Sequence, residues 1–349
     1  MKRVSTALLL IFAVALVGEF AYWRVAVDRL QTGFDDWAAA RTRAGWTIRA
    51  GKPVAGGWPL SATLTMPDVT LSATGATLPV GVSWHADKAS LSVDLFSPTH
   101  LRIEPDGAQS LRFGDGPAIP YEADRLTVSV PLNEPGPTSE VEVRGSGIEG
   151  KKGADADATG FGVELLSAHL RATADANAKE PAFAAVIAAE SVSVRPDAVA
   201  PLGAAFGDRM PSVVIEALLT GPVPPPGDPA QRARQWRDAG GRLDITRIVL
   251  GWGTLALHGR GSMTLDAGLQ PSGSGDAQVV DYSAAIDSLT RAHVIGAGAA
   301  LSARAVLSVV SQASDNSDIR SADVPVTLKD GILMLDRFPL VRVPALNLP

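Results

Sequence analysis

The chain of 349 residues contains no cysteine, and this absence excludes several kinds of site. Without a thiol the chain has no disulfide, no zinc–thiolate centre and no cysteine nucleophile. Lysine and arginine are also outnumbered, 31 against 37 aspartate and glutamate residues, and no run of adjacent basic residues is longer than a pair. Nucleic-acid-binding domains usually carry a basic stripe. The sequence therefore predicts no nucleic-acid partner.

Local motifs of catalytic sites are missing as well. The five histidines are scattered, and none has a second histidine within four residues. The sequence has no nucleophile elbow, P-loop or Ser-x-x-Lys motif. Neighbouring acids such as Asp35 and Asp36 lie on polar faces, where a solvated role is expected. We therefore predict a protein that is not an enzyme, with no catalytic residue, metal or cofactor.

Residues 1–24 have the composition of a membrane-targeting segment. Lys2 and Arg3 precede an apolar run over residues 4–17, and Phe20, Tyr22 and Trp23 follow it. The segment approaches the roughly 20 residues that span a bilayer, with aromatic residues where the interface would be. A signal peptide cleaved after residue 15 is the alternative to a retained signal anchor. The aromatic residues favour the anchor, and the basic start predicts that the rest of the chain is exported.

Helical periodicity is confined to a few segments. Val27, Leu30 and Phe34 predict an amphipathic helix over residues 25–45, with Gly45 as its stop. Three further helices are predicted over residues 230–239, 282–292 and 297–312. The Pro-rich segment 221–229 is interpreted as an internal joint within one β-rich domain over residues 46–349, and residues 271–275 as a loop.

Most of the remaining sequence alternates between apolar and polar residues, as one-sided strands do. The clearest strands lie near residues 60–66, 69–73, 89–95, 126–132, 141–143, 243–249, 255–265, 324–328 and 331–335. Weaker strands are predicted over 159–173, 182–195 and 212–220. About ten apolar strand faces are too many for so few helices to cover. The predicted fold class is mostly β: a long curved antiparallel sheet that forms a groove, an open barrel or a sandwich.

The most regular part of the chain is a predicted hairpin over residues 240–266, turned near Gly251-Trp252-Gly253. Its second strand places apolar residues and two glycines on one face and polar residues on the other. A glycine within a strand indicates either a bend or the close approach of another group. We therefore predict that this face lines a lipid groove, with these candidate residues: Leu255, Leu257, Gly259, Gly261, Met263 and Leu265.

Several turn and strand motifs resemble those of the proteobacterial DUF2125 family. They are Gly57-Trp58-Pro59-Leu60, Ser97-Pro98-Thr99-His100, the 240–266 hairpin, and Asp330-Gly331-Ile332-Leu333-Met334-Leu335 with Phe338-Pro339-Leu340. The segments at residues 330–335 and 338–340 also resemble the end of AsmA-like proteins. The DUF2125 resemblance implies no established activity. The AsmA-like resemblance implies an envelope protein with an elongated β groove for lipid.

Two functions are consistent with this pattern. The first is a membrane-anchored periplasmic protein whose β groove binds or conducts lipid in envelope maintenance, with the inner membrane and phospholipid as partners. The alternative is a non-enzymatic envelope scaffold with a closed β core, whose surface meets a protein partner. A packed interior without an apolar groove would favour the scaffold.

Overall fold

A computed structural model of the chain describes residues 2–73, 81–114, 116–132, 138–151, 159–174, 176–177, 180–195, 199–225, 227–313, 320–335, 338–343 and 345–346. In these residues the chain is mostly β with few helices, as predicted. The helices are α1 Lys2–Arg43, α2 Leu202–Phe206, α3 Pro229–Asp238, α4 Tyr282–Arg291 and α5 Ala297–Val310. The first strands are β1 Trp46–Arg49, β2 Val54–Gly56, β3 Ser61–Ala73, β4 Val82–Asp94, β5 His100–Phe113, β6 Ile119–Pro131, β7 Thr138–Lys151, β8 Thr159–Thr173 and β9 Pro181–Val194. The others are β10 Arg209–Thr220, β11 Arg242–Trp252, β12 Leu255–Leu265, β13 Pro271–Val280, β14 Ser311–Ala313, β15 Arg320–Lys329, β16 Ile332–Leu335 and β17 Phe338–Arg342.

The chain divides into two compact units. Unit 1 comprises Met1–Ala118 and Leu126–Pro135, and unit 2 comprises Ile119–Arg125 and Gly136–Pro349. The division falls within β6. The Pro-rich segment 221–229 lies inside unit 2, between β10 and α3.

The predicted N-terminal segment and the predicted amphipathic helix form one continuous helix, α1, of 42 residues. It ends at Arg43, and Gly45 follows with a φ of 89°, a left-handed conformation that suits glycine at the end of a helix. This agrees with the predicted stop. Within the described part of the chain, no helix combines the length and the apolarity needed to cross a membrane.

The core of unit 1 forms between α1 and one face of an antiparallel sheet. Strands β1 and β2 pair with different parts of one edge of β3, and β4 and β5 follow on its other side. Val27 of α1 is buried against Leu64 and Met66 of β3. Asp68, with a φ of 51°, interrupts the alternation of β3 before Val69 returns to the core. The strands predicted near residues 60–66 and 69–73 are therefore two parts of β3.

Unit 2 contains a longer antiparallel sheet with the strand order β7-β8-β9-β10-β11-β12-β13-β15-β16-β17. The short β14 pairs with the start of β15. The three strands predicted from weaker patterns correspond to β8, β9 and β10. In the described residues no pairing joins β7 to β17.

One predicted loop is wrong. Residues 271–275 form the first half of β13, which pairs with β12 from Leu265↔Pro271 to Ala256↔Val280. The segment has proline, serine and glycine, which are typical of turns, but its glycines lie on the apolar face of the sheet and supply no alternating side chains. The helix α2 and the strands β2, β5, β14 and β17 were not predicted, and the helix predicted over residues 297–312 ends at Val310, before β14.

Candidate functional site

One face of the unit 2 sheet is apolar over many strands. In an antiparallel pair, directly opposed residues lie on the same face, so the registers identify its members. From β11 to β16 these are Leu243, Ile245, Ile248, Leu250, Leu257, Gly259, Gly261, Met263, Gly273, Gly275, Ala277, Val279, Ala322, Val324, Val326, Leu328 and Leu333. A continuous apolar surface therefore extends across five strands.

The opposite face is polar and carries pairs of charged groups. Arg247 Nη1 lies 3.2 Å from Glu216 Oε1 on the neighbouring strand. Arg260 Nε lies 3.9 Å from Asp276 Oδ2, and both side chains are exposed. The two faces of the sheet thus differ in the way that the alternation in β12 predicted, and the charged groups point away from the apolar surface.

Two helical clusters cover one end of the apolar face. Tyr282 and Ile286 of α4 pack with Val279 and Val324 of the sheet. Trp252, at the end of β11, is buried beside Phe206 of α2, and its indole Nε1 donates a hydrogen bond of 3.0 Å to the carbonyl oxygen of Gly207. The face is therefore closed by protein at the end where β12 begins.

Beyond these helices the apolar face lines a pocket of about 460 Å³. Its walls are almost entirely apolar, and its volume lies in the range of about 300–1,000 Å³ that is usual for ligand sites. The apolar residues that line it are Ile245, Ile248, Leu257, Gly259, Gly261, Met263, Pro271, Gly273, Gly275, Ala277, Val326, Leu328, Leu333 and Val343. A site of this kind binds by removing apolar surface from water rather than through charge.

The structure brings four of the six predicted groove residues together in this pocket: Leu257, Gly259, Gly261 and Met263. Leu255 instead packs into the two helical clusters. Leu265 lies at the far end of β12, opposite Pro271, and does not line the pocket. The pocket therefore covers a shorter part of β12 than predicted, from Leu257 to Met263.

Glycines on β12 and β13 form the middle of the pocket. A Cβ atom on Gly275 would lie 2.7 Å from Gly261 Cα and would collide with the carbonyl oxygen of Arg260. A Cβ on Gly273 would lie 2.7 Å from Met263 Cα. Real Cβ atoms do not approach backbone so closely, so these two glycines allow β12 and β13 to come together.

Gly259 is different, because space is available beside it. A Cβ there would meet the Asp276 carbonyl oxygen at 3.6 Å and Leu257 Cδ2 at 3.7 Å, both ordinary contacts. The sequence offered two explanations for glycine within a strand, a bend or the close approach of another group. Close approach describes Gly273 and Gly275, whereas Gly259 has space beside it, which neither explanation anticipated.

The pocket residues outside β12 were not predicted as part of the site. Val326 and Leu328 belong to a strand whose alternation was recognised, but nothing in the sequence paired that strand with β13. Gly273 and Gly275 were assigned to a loop. The repeated glycine spacing on both strands, Gly259-x-Gly261 and Gly273-x-Gly275, was a signal that the two segments pair, because Gly261 lies directly opposite Gly275.

The described residues contain no group of three or more His, Asp or Glu side chains arranged to hold a metal ion. The two charged residues at the pocket, Arg260 and Asp276, pair with each other on the polar face, and Ser262 and Ser274 also border it. The arrangement therefore suits the binding of an apolar chain.

Comparison with known proteins identified one family. The profile of a family described as "Uncharacterized protein conserved in bacteria (DUF2125)" matches residues 23–344. No curated protein and no solved structure matches the chain. The match leaves the AsmA-like features of the C-terminal motifs unconfirmed.

Proposed function

We propose a function for this chain, which belongs to the DUF2125 family of uncharacterised bacterial proteins: it binds the acyl chain of a lipid in the apolar pocket of unit 2. The observation that supports the proposal is the pocket itself, about 460 Å³ with almost no polar wall. The broader role that we propose is the binding or conduction of phospholipid in maintenance of the cell envelope.

Burial of apolar surface supplies the driving force. Each methylene group that leaves water contributes about 0.8 kcal/mol, so an acyl chain gains affinity with every carbon that the pocket covers. Leu257, Met263 and Val326 offer side-chain contacts, while Gly259 leaves open space between them. Such a site selects for an apolar chain and discriminates little between chemical head groups.

The proposed location is the inner membrane, with the bulk of the chain in the periplasm. In α1, the apolar side chains of Leu10, Phe12, Val14 and Val17 are exposed. Successive helical residues are rotated by about 100°, so Leu10, Val14 and Val17 lie on one side of the helix and Phe12 on the other. Every residue from Leu8 to Val17 is apolar, so the segment is apolar all round. A helix with apolar residues on all sides is stable when buried in protein or lipid. We propose lipid, which places the pocket of the same chain close to its ligand.

Photochemical crosslinking tests the pocket in the full chain. A photoreactive residue replaces Leu257 or Met263, and a matched control carries it at His258, which is exposed on the polar face of the same strand. The variants are reconstituted in vesicles of phosphatidylethanolamine and phosphatidylglycerol, irradiated and weighed by mass spectrometry. We expect phospholipid adducts at positions 257 and 263 and none at 258.

A second variant fills the pocket. Gly259→Leu projects a side chain into open space, so it should abolish the adduct at position 263 while the protein still melts cooperatively. Absence of phospholipid adducts at both 257 and 263 in the otherwise unchanged chain would refute lipid binding in this pocket.

The alternative function is an envelope scaffold, and one observation favours it. Helices α4 and α5 already cover part of the apolar face through Tyr282, Ile286 and Ala300, and a helix of a partner protein would cover the remainder in the same manner. In cells, crosslinks from position 257 to another protein, without lipid adducts, would support this alternative.

A further inference from the structure

Unit 1 exposes a group of large apolar side chains that its core does not use. Phe96 is 75% exposed and Leu60 is 65% exposed, and Val54 and Trp58 are also exposed. We name these four residues the collar. The segments that carry them, residues 54–60 and 95–97, contain no charged residue. Large exposed apolar side chains that are grouped together, rather than scattered singly, mark an interaction surface.

The collar lies toward one end of the unit 1 sheet. Ser61 pairs with Asp94, so the segments that precede β3 and follow β4 emerge at the same end. Ala73 pairs with Val82 at the opposite end, about 40 Å away for strands of 13 residues. Phe113 pairs with Val82 and is therefore at that opposite end.

Hydrogen bonds hold the collar segments in place. The Leu95 backbone N–H donates to the Leu60 carbonyl oxygen at 3.0 Å. The Phe96 N–H donates to Asp94 Oδ1 at 2.8 Å, which orders the turn after β4. The Ser61 N–H donates to the Gly57 carbonyl oxygen at 2.9 Å. The exposed side chains are thus presented from ordered backbone.

Helix α1 meets the collar where its apolar N-terminal part ends. Trp23 Nε1 donates to the Gly56 carbonyl oxygen at 3.0 Å, and the Tyr22 hydroxyl donates to the Leu95 carbonyl oxygen at 3.4 Å. The rings of Phe20 and Trp58 lie 6.5 Å apart in an edge-to-face arrangement. From this point α1 continues along the sheet, so residues 2–19 of the helix extend beyond the collar end.

We propose that the collar is a membrane-docking surface, which inserts Trp58, Leu60 and Phe96 into the interface of the bilayer that receives α1. This inference rests on the proposed anchoring by α1. Its basis is the position of the collar beside the apolar part of α1: Val17, Phe20 and Tyr22 are exposed, Phe20 contacts Trp58, and Tyr22 contacts the segment that carries Phe96. Tryptophan and tyrosine favour the interfacial region, where an apolar ring and a polar group are both satisfied.

Docking fixes the orientation of unit 1. The sheet of β3, β4 and β5 would stand with its collar end on the membrane and the Phe113 end in the periplasm. The contacts of Trp23 and Tyr22 make α1 and the collar one rigid surface. Unit 1 therefore cannot turn freely about its anchor.

The absence of native cysteine makes site-directed spin labelling a direct test. Single nitroxide labels replace Leu60, Phe96 or Phe113 in the full chain, which is then reconstituted in vesicles of phosphatidylethanolamine and phosphatidylglycerol. Collision rates with oxygen, which concentrates in lipid, and with a water-soluble nickel complex report depth. Phe113 is the matched control because it is an aromatic residue, 51% exposed, at the far end of the same sheet.

We expect the oxygen-to-nickel ratio at positions 60 and 96 to exceed that at position 113 several-fold. Equal, water-like ratios at all three positions in vesicle-bound protein would overturn the docking surface and leave the anchor intact. Failure of the chain to float with vesicles would overturn both. Labels at 60 and 96 that are immobile and shielded from both reagents would indicate a protein partner or a second copy, and would also overturn the proposal.

Each labelled variant is checked by its thermal melting transition, and a label at Val54→Cys replaces a label at position 60 or 96 that prevents folding.

The crosslinking result at position 257 in unit 2 is independent of this test. A failed lipid crosslink there, with lipid-exposed labels at 60 and 96, would refute pocket binding and support the collar.

Discussion

Replacing single pocket glycines by alanine provides a sharp test of the arrangement of β12 and β13. At Gly275 the added methyl group would lie 2.7 Å from Gly261 Cα and collide with the Arg260 carbonyl oxygen. Backbone atoms cannot move aside as a flexible side chain does, so β12 and β13 must separate. At Gly259 the same methyl group meets its nearest neighbour at 3.6 Å, so no rearrangement is required.

The two substitutions should therefore change stability in opposite directions. Forcing an extra methyl group into packed structure costs about 1–3 kcal/mol, and we expect about 2 kcal/mol for Gly275→Ala. Gly259→Ala restricts the unfolded chain without strain and should stabilise by about 0.4–1 kcal/mol. In a domain of about 150–250 residues, 1 kcal/mol shifts the Tm by about 2–4 °C. Gly275→Ala should therefore lower the Tm by about 4–8 °C, and Gly259→Ala should raise it slightly.

Thermal and urea unfolding of the two full-length variants, prepared side by side with the unchanged protein, measures this difference. The urea midpoint should fall for Gly275→Ala with an unchanged m-value, which indicates lost stability rather than an altered unfolded state. Equal Tm values for the two variants, or a lower Tm for Gly259→Ala, would refute the close approach at Gly275 and the open space at Gly259.

Three further changes have defined outcomes. Leu257→Asp places a charge in an accessible pocket, so the protein should still melt cooperatively but lose lipid adducts. The matched Leu64→Asp places a charge at a position only 1% exposed, so it should cost more than about 4 kcal/mol of stability and prevent folding. A hydrogen bond from Lys88 lowers the pKa of Asp106 in the folded protein. The exposed ion pair therefore contributes up to about 1 kcal/mol to the free energy of unfolding above about pH 4, the ordinary pKa of an aspartate. This contribution is lost as pH falls through the lowered pKa of the folded state. Lys88→Met should raise the Asp106 pKa in an NMR titration. Asp228→Ala removes the carboxylate that accepts from a backbone N–H at the start of α3 and should cost about 1 kcal/mol in chemical denaturation.

Alternation and helical spacing predicted most of the architecture because these patterns are local. Val27, Leu30 and Phe34 of α1, which predicted an amphipathic helix over residues 25–45, pack against the sheet of unit 1. The strand β12 alternates as predicted, with Leu257 and Met263 in the pocket and Arg260 exposed on the other face. Each of these predictions depends only on residues within one segment.

The remaining features depend on pairing between distant segments, which one-sided patterns do not specify. Strand β13 pairs with β15 across residues 281–319, which include α4 and α5, and no local signal in Val326 or Leu328 identifies that partner. Gly273 and Gly275 lack side chains, so the alternation that identifies strands is absent where the strand is needed most. Glycine there indicates a contact between two backbones, and such a contact can be recognised only when both strands are known.

At Gly259 the contacts in the structure do not explain why the chain has a glycine, which lowers the stability of a strand. A glycine within a strand costs about 0.5–1 kcal/mol relative to alanine, and proteins usually avoid this cost unless a close contact or an unusual backbone angle requires glycine. Gly275 meets that requirement, because Gly261 Cα lies in the path of any side chain. Gly259 does not, since a methyl group would make ordinary contacts there. Residues that their local structure does not favour, such as this glycine in a strand, concentrate at functional sites. The missing side chain at Gly259 keeps the pocket beside Leu257 open, which ligand binding requires and a fully packed scaffold core does not.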